Sequence, residues 1–297
     1  MKVKVFTLLL LFVALCSARK YFAFTTGYGD FSLFPALGEL TNVTTGDIKP
    51  IGAIDVKDFG AVYSGECVYA NNTNEYYVVS DAKESFIVNI YVMDASSGFL
   101  KRTITTGKVT HLETDETNHI IYAISYLDDE WHFAYLNDDN KLIPTIKLED
   151  QDPMLGVSTY CQKCRKFFYA STMEGEFKLL GVDPLTMKIT SKSTIPGYPT
   201  ALTMDSSKGI LYALLSDGQS TKVVQLDVKS GKVVRTVAAD IPIGNDVYDT
   251  MYDPIVKTLF VSCKNLQQES RIASINIDSG KVTFSDEMYS TLQCLDQ

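Results

Sequence analysis

Glu66, His111 and Asp249 stand at the same point of three copies of a repeated hairpin, and Glu113 lies two residues past His111. An imidazole with two carboxylates can hold a divalent cation, and a carboxylate beside a histidine can activate water. Aligned on Ala201, the repeat column reads Glu66, His111, Val157, Asp249 and Thr291; aligned on Thr203 it reads Val68, Glu113, Thr159, Met251 and Gln293. These side chains would meet at one height if the strands carrying them lined a central channel. They would serve equally as the solvated lining of a polar channel, and a one-residue slip would turn every one of them to the other face. A second constellation is Cys161-Gln-Lys-Cys164, which falls in a hairpin turn and reads as a local disulfide. Half a zinc site would need a second pair, and Cys67, Cys263 and Cys294 lack that spacing. A redox dithiol would want its first cysteine at a helix N-terminus, where the pattern here is strand. Asp128-Asp-Glu-Trp131 is a loop that would suit calcium or simply face water. Nothing matches a Gly-x-Ser-x-Gly elbow, His-Glu-x-x-His, a phosphate loop or an EF-hand. His119 in a turn and His132 in the acidic loop leave no Ser-His-Asp triad.

The elements that must position these groups are short strands. Thr200–Val237 reads as four in succession: an apolar run, a polar turn, a Leu-Tyr-Ala strand, then two more around Asp227-Val-Lys-Ser-Gly231. The first hairpin recurs at Gly65–Ser80, Thr110–Ser125, Gly156–Ser171 and Tyr248–Cys263. The turn of the second recurs at Asn42–Gly46, Asp94–Gly98, Asn137–Lys141, Asp183–Met187 and Asn276–Gly280. An Asp or Asn followed by Ser/Thr-Gly suits a tight turn, because the side chain bonds the backbone and Gly accepts positive φ. Six copies at about the blade spacing of propellers predict an all-β, six-bladed β-propeller of four-stranded blades, with seven if one copy is degenerate. Lys20–Thr25 resembles a second strand and Ser290–Asp296 a first, so the two chain ends are expected to share one blade and close the ring. Tyr69, Tyr77, Tyr122, Phe168, Tyr212 and Phe260 recur with the repeat and read as core between blades.

Ile195–Leu215 followed by Val224-Gln-Leu-Asp-Val-Lys-Ser-Gly-Lys-Val-Val resembles the YVTN-type repeat of surface and quinoprotein-like propellers, and Ile241-Pro-Ile-Gly244 matches the opening of that repeat. Asp205-Ser-Ser-Lys departs from the family's Ser-Pro-Asp-Gly turn, and Ala213 replaces its Val. The resemblance implies the fold and no particular activity.

Lys2 and Lys4, the apolar run Val5–Leu15 and Cys16-Ser-Ala18 read as a secretory signal peptide over 1–18, leaving 19–297 as a single domain. Losing two lysines and no acid takes the net charge from −9 to −11. Such a chain is a poor partner for nucleic acid or an anionic membrane, and no stretch is long and apolar enough to span a bilayer. Five cysteines remain after cleavage, so pairing in an oxidising compartment leaves one over. Cys67 and Cys294 fall on adjacent blades and would either bridge the closure or stay as buried thiols. Asn42-Val-Thr and Asn71-Asn-Thr are sequons for glycans on exposed loops. The leading reading is a secreted or lumenal glycoprotein that binds a protein or glycan. Its rivals are a lactonase-like hydrolase with a divalent cation held by Glu66, His111 and Asp249, and a matrix component that pairs through the odd cysteine.

Overall fold

The computed structural model describes residues 21–25, 36–53, 67–81, 88–149, 156–217, 220–288 and 292–296. Blade I contains β1 (Phe22–Thr25), β2 (Ala36–Asn42) and β3 (Asp47–Ala53). Blade II is β4 (Cys67–Ala70), β5 (Glu75–Asp81), β6 (Val88–Asp94) and β7 (Leu100–Thr106). Blade III is β8 (Lys108–Asp115), β9 (Ile120–Leu127), β10 (Glu130–Leu136) and β11 (Leu142–Lys147). Blade IV is β12 (Val157–Cys161), β13 (Lys166–Met173), β14 (Glu176–Asp183) and β15 (Lys188–Thr194). Blade V is β16 (Tyr198–Asp205), β17 (Ile210–Ser216), β18 (Thr221–Leu226) and β19 (Val233–Ile241). Blade VI is β20 (Ile243–Asp253), β21 (Thr258–Asn265), β22 (Ser270–Asn276) and β23 (Val282–Phe284). Last, β24 (Leu292–Asp296) returns to pair antiparallel with β1 and becomes the inner strand of blade I. The fold is a six-bladed propeller, and both chain ends build its first blade.

Burial follows from that closure. The described core separates into six clusters, each shared by two neighbouring blades: Tyr122 and Phe133 of blade III pack with Tyr160 and Phe167 of blade IV, and Phe22 and Phe24 of blade I with Tyr76 of blade II. Each sheet therefore buries both faces. The aromatic stripe lies in these layers as expected: Tyr77, Tyr122, Phe168, Tyr212 and Phe260 are buried, and the half-buried Tyr69 packs on Phe22.

The turns carry the local chemistry that the repeat foretold. Gly46, Gly98, Gly231 and Gly280 take φ near +70° and donate their N–H to the carbonyl of the Asn or Asp four residues back. Asn140 and Met187 take the left-handed role in the two turns without glycine. The structure adds a second reason for glycine. At three of the six blades this turn lies against the outer strand of the preceding blade, where a side chain has no room: a Cβ on Gly98 would stand 2.4 Å from Gly52 Cα, and one on Gly280 2.3 Å from the Val237 carbonyl oxygen. In contrast, Gly209 at φ +72° has nothing within 4 Å of a Cβ. Gly209→Ala is therefore expected to cost about 1 kcal/mol, from backbone strain alone. Gly98→Ala is expected to cost roughly 2–4 kcal/mol because two backbones must also part. Equal denaturant midpoints for the two variants would show that the turn does not seat against its neighbour.

Candidate functional site

Inner strands position the candidate side chains, and the register of four blades is the one expected. Ala201, His111, Val157 and Asp249 pair with Leu214, Ile124, Ala170 and Ser262, which are equivalent positions of the second strands. In blade I the alignment shifts. Cys294 and Asp296, not Thr291 and Gln293, pair with Phe24 and Phe22, and the ladder slips between Phe24 and Thr25. Thr291 and Glu66 lie outside the described residues, as does the segment 26–35.

What the columns face differs from the expectation of a solvated channel. Because both faces of each blade are covered, side chains alternating along an inner strand point at the next blade and the previous one. The His111 ring is 1% exposed and packs edge-on to Tyr169. Its Nε2 donates to the Gly156 carbonyl at 2.7 Å, so in the neutral ring Nδ1 accepts from the Thr110 hydroxyl at 2.9 Å. Glu113 accepts from the Ser158 hydroxyl of blade IV at 2.7 Å. Asp249 accepts the Thr250 N–H and, across the closure, the Leu295 N–H at 2.8 Å. All three reach one blade forward. They tie sheet to sheet, and among the described residues no three His, Cys, Asp or Glu side chains gather as a metal site. Asp249→Ala is expected to lower stability by about 1–3 kcal/mol, through the stranded Leu295 and Thr250 N–H groups. A chelator is expected to leave the melting temperature of both proteins unchanged; a chelator-dependent loss in the wild type alone would return Asp249 to a metal role.

A belt of similar ties joins the first-hairpin turns. Glu116 accepts the N–H groups of Asn71 and Asn72 from blade II, and Gln162 of blade IV holds the Glu116 N–H and the Thr114 carbonyl. Beneath it, Asp115, Asp205 and Asp253 are buried and cap their own turns, each accepting two backbone N–H groups. Asp115 and Asp253 also take a tyrosine hydroxyl from the next blade, Tyr160 at 2.7 Å and Tyr21 at 2.5 Å. Burial, aided by that bond to Asp115, pushes the Tyr160 phenol well above its ordinary range. Burial would raise Asp205, but the Ser207 hydroxyl and the Lys208 ammonium hold it below the usual carboxylate value.

Cys161 occupies the capping position that Asp holds in three other blades, and the Cys161–Cys164 disulfide closes the turn there, as the spacing suggested. Cys67 and Cys294 also pair, joining blade II to blade I at the closure. Cys263 is the remaining cysteine of the described residues. It is buried, and burial pushes its thiol up to about 12, so it offers no exposed sulfur for linking chains and the matrix reading loses its basis. Trp131 and His132 stand on β10 and not in a loop; only Asp128 and Asp129 form the turn, both at positive φ, with Glu130 paired to Lys147. His119 holds the left-handed position of its turn, as Asn74 and Lys257 do in theirs. Asn42 and Asn71 are exposed in their turns.

One cluster had no motif to announce it. Glu75, 7% exposed at its side chain, accepts both Arg102 terminal nitrogens at 2.7 and 3.1 Å, the Tyr77 hydroxyl at 2.7 Å and Lys101 at 2.6 Å. Arg102 Nε reaches on to donate to the Asn140 side-chain oxygen Oδ1 of blade III. The only trace in sequence is an acid at a strand position that other blades fill with Ile, Lys or Thr.

With the geometry in place, known proteins can be set beside it. No family model and no curated protein sequence matches the chain. Solved structures do. A chain of a nidogen–laminin complex is 11% identical, with 94% of this chain and 98% of that one covered at a TM-score of 0.66. TolB from Acinetobacter baumannii is 11% identical over 96% of this chain and 69% of its own, at 0.68. A candidate 6-phosphogluconolactonase from Bacteroides fragilis is 13% identical over 90% and 81%, at 0.57. These are likenesses of fold. No helix of the described residues is long and apolar enough to cross a membrane.

Proposed function

We propose that this chain is a secreted propeller, built on a repeat of the YVTN type, whose work is to hold a protein partner. The observation that carries the reading is the engagement of His111, Glu113 and Asp249 with the following blade. These three groups are thus part of the scaffold, and in this reading recognition falls to the outer surface. On the same ground this reading assigns His111 and Asp249 to the scaffold in place of the cation set of the hydrolase alternative. Two disulfides suit an oxidising compartment, and a fold shared with a chain from a complex of two proteins is consistent with a binding role. In this reading residues 1–18 are removed, 19–297 form the mature domain, and Asn42 and Asn71 carry glycans.

Expression in a secretory host tests the first half. The chain is expected in the medium, beginning near Arg19, with two glycosidase-sensitive steps that Asn42→Gln and Asn71→Gln remove one at a time. An intact leader and retention in the cell would overturn it. Affinity capture from conditioned medium, then direct binding to the purified partner, tests the second half; saturable protein binding is expected, and its absence together with turnover of a lactone would overturn the binder.

A further inference from the structure

Charge is unevenly spread around the ring. The whole chain carries −9, yet blades IV and V (157–194 and 198–241) hold eleven Lys and Arg against seven Asp and Glu. Neighbouring blade III (108–147) holds three against eight. On blade IV every residue from Leu185 to Thr190 is exposed, including Leu185 (58%), Met187 and Ile189. On blade V every residue from Lys232 to Thr236 is exposed, including Val233 and Val234 (59%). The two stretches lie on adjacent blades, with Ser191–Thr194 of β15 between them. A Cβ on Gly231 would stand 2.5 Å from the Thr194 carbonyl oxygen, so the start of β19 is seated against the end of β15. Among the described residues Lys188 and Lys232 have no carboxylate within 4.0 Å, unlike Lys178 and Lys192 nearby.

Scattered single apolar side chains on a surface mean little; grouped ones interleaved with unpaired cations mark a contact surface. The geometry points to this band, along the outer strands of blades IV and V, as the docking surface for an acidic protein segment that also carries apolar side chains. The inference rests on the binding reading above and gives that partner its chemistry. Charge complementarity calls for acid opposite Lys188 and Lys232. The five apolar side chains call for more than acid: a sulfated glycan would satisfy the cations and leave Leu185, Ile189 and Val234 in water.

The test uses the full secreted protein and a twelve-residue labelled peptide of alternating Glu and Leu, with oligo-Glu of equal length and heparin as comparisons. The alternating peptide is expected to bind at least tenfold tighter than oligo-Glu and to weaken as salt rises. Lys188→Glu/Lys232→Glu is expected to weaken it at least tenfold, and Ile189→Ser/Val234→Ser at least fivefold. Both pairs are surface changes, so melting temperatures should match the wild type. Heparin or oligo-Glu binding as tightly as the alternating peptide would overturn the proposal in favour of a bare anion site. Self-association lost in the same variants, without peptide binding, would overturn it in favour of a second copy. Peptide binding unchanged in both variants would overturn this surface and leave the chain a binder elsewhere. Absence of any peptide binding by the wild type would also overturn it, and the capture from conditioned medium then decides the broader reading separately.

Discussion

Replacing Cys67 and Cys294 together by Ala is expected to lower stability by about 2–5 kcal/mol, towards the upper end because the bond closes a long loop. The two cysteines are 227 residues apart and join the inner strands of blades II and I. Among the described residues that seam also carries the packing of Phe22, Phe24 and Tyr76 and the seating of Gly98 against Gly52. Freeing the crosslink enlarges the unfolded ensemble and leaves the short β1–β24 ladder to open on its own. For a chain of this size the melting temperature should fall on the order of 10 °C. Hydrogen exchange should quicken first in β1 and β24. Cys161–Cys164 closes a loop with a separation of only 3, and removing it should cost roughly 2 kcal/mol or less. If the two double variants melt alike, packing alone closes the ring.

Arg102→Met is expected to cost about 3–5 kcal/mol, because it leaves Glu75 buried with a charge only partly matched by Lys101 and Tyr77. Pairing it with Glu75→Leu should recover much of that loss, since a well-packed apolar pair is close to neutral against a buried ion pair. The pH dependence follows from the same contacts. Burial would raise the Glu75 carboxyl, but Arg102, Lys101 and Tyr77 outweigh it and hold the group at about 2, against an ordinary 4.5. A carboxylate depressed on folding stabilises fully above its unfolded value and loses that contribution as pH falls towards the folded one. The wild type should therefore shed this stability between about pH 4.5 and pH 2, while Glu75→Gln starts lower at neutral pH and declines less through that window. Parallel acid-unfolding curves for the two proteins would place the acid sensitivity elsewhere.

Blade number, strand order within each blade and the sharing of blade I by both chain ends were legible in the amino acids, because they rest on local chemistry. Alternation of apolar residues makes the strands. Asp or Asn followed by Ser/Thr-Gly makes the turns, and an aromatic at a fixed point marks the layer between sheets. The Cys161-x-x-Cys164 bridge belongs with these, being local too. What the repeated columns do was decided only by closure. His111, Glu113 and Asp249 resemble site residues by type and spacing, and they become ties between blades once both faces of each sheet are covered. The choice between a bridge and two buried thiols at Cys67 and Cys294, the ionic cluster at Glu75 and the seating of β19 against β15 likewise depend on residues that are remote in sequence or in different blades. A repeat pattern sets what each blade is, because its strands and turns form from residues near one another. It is silent on what faces what, because that depends on how six twisted sheets turn their sides to each other around a ring.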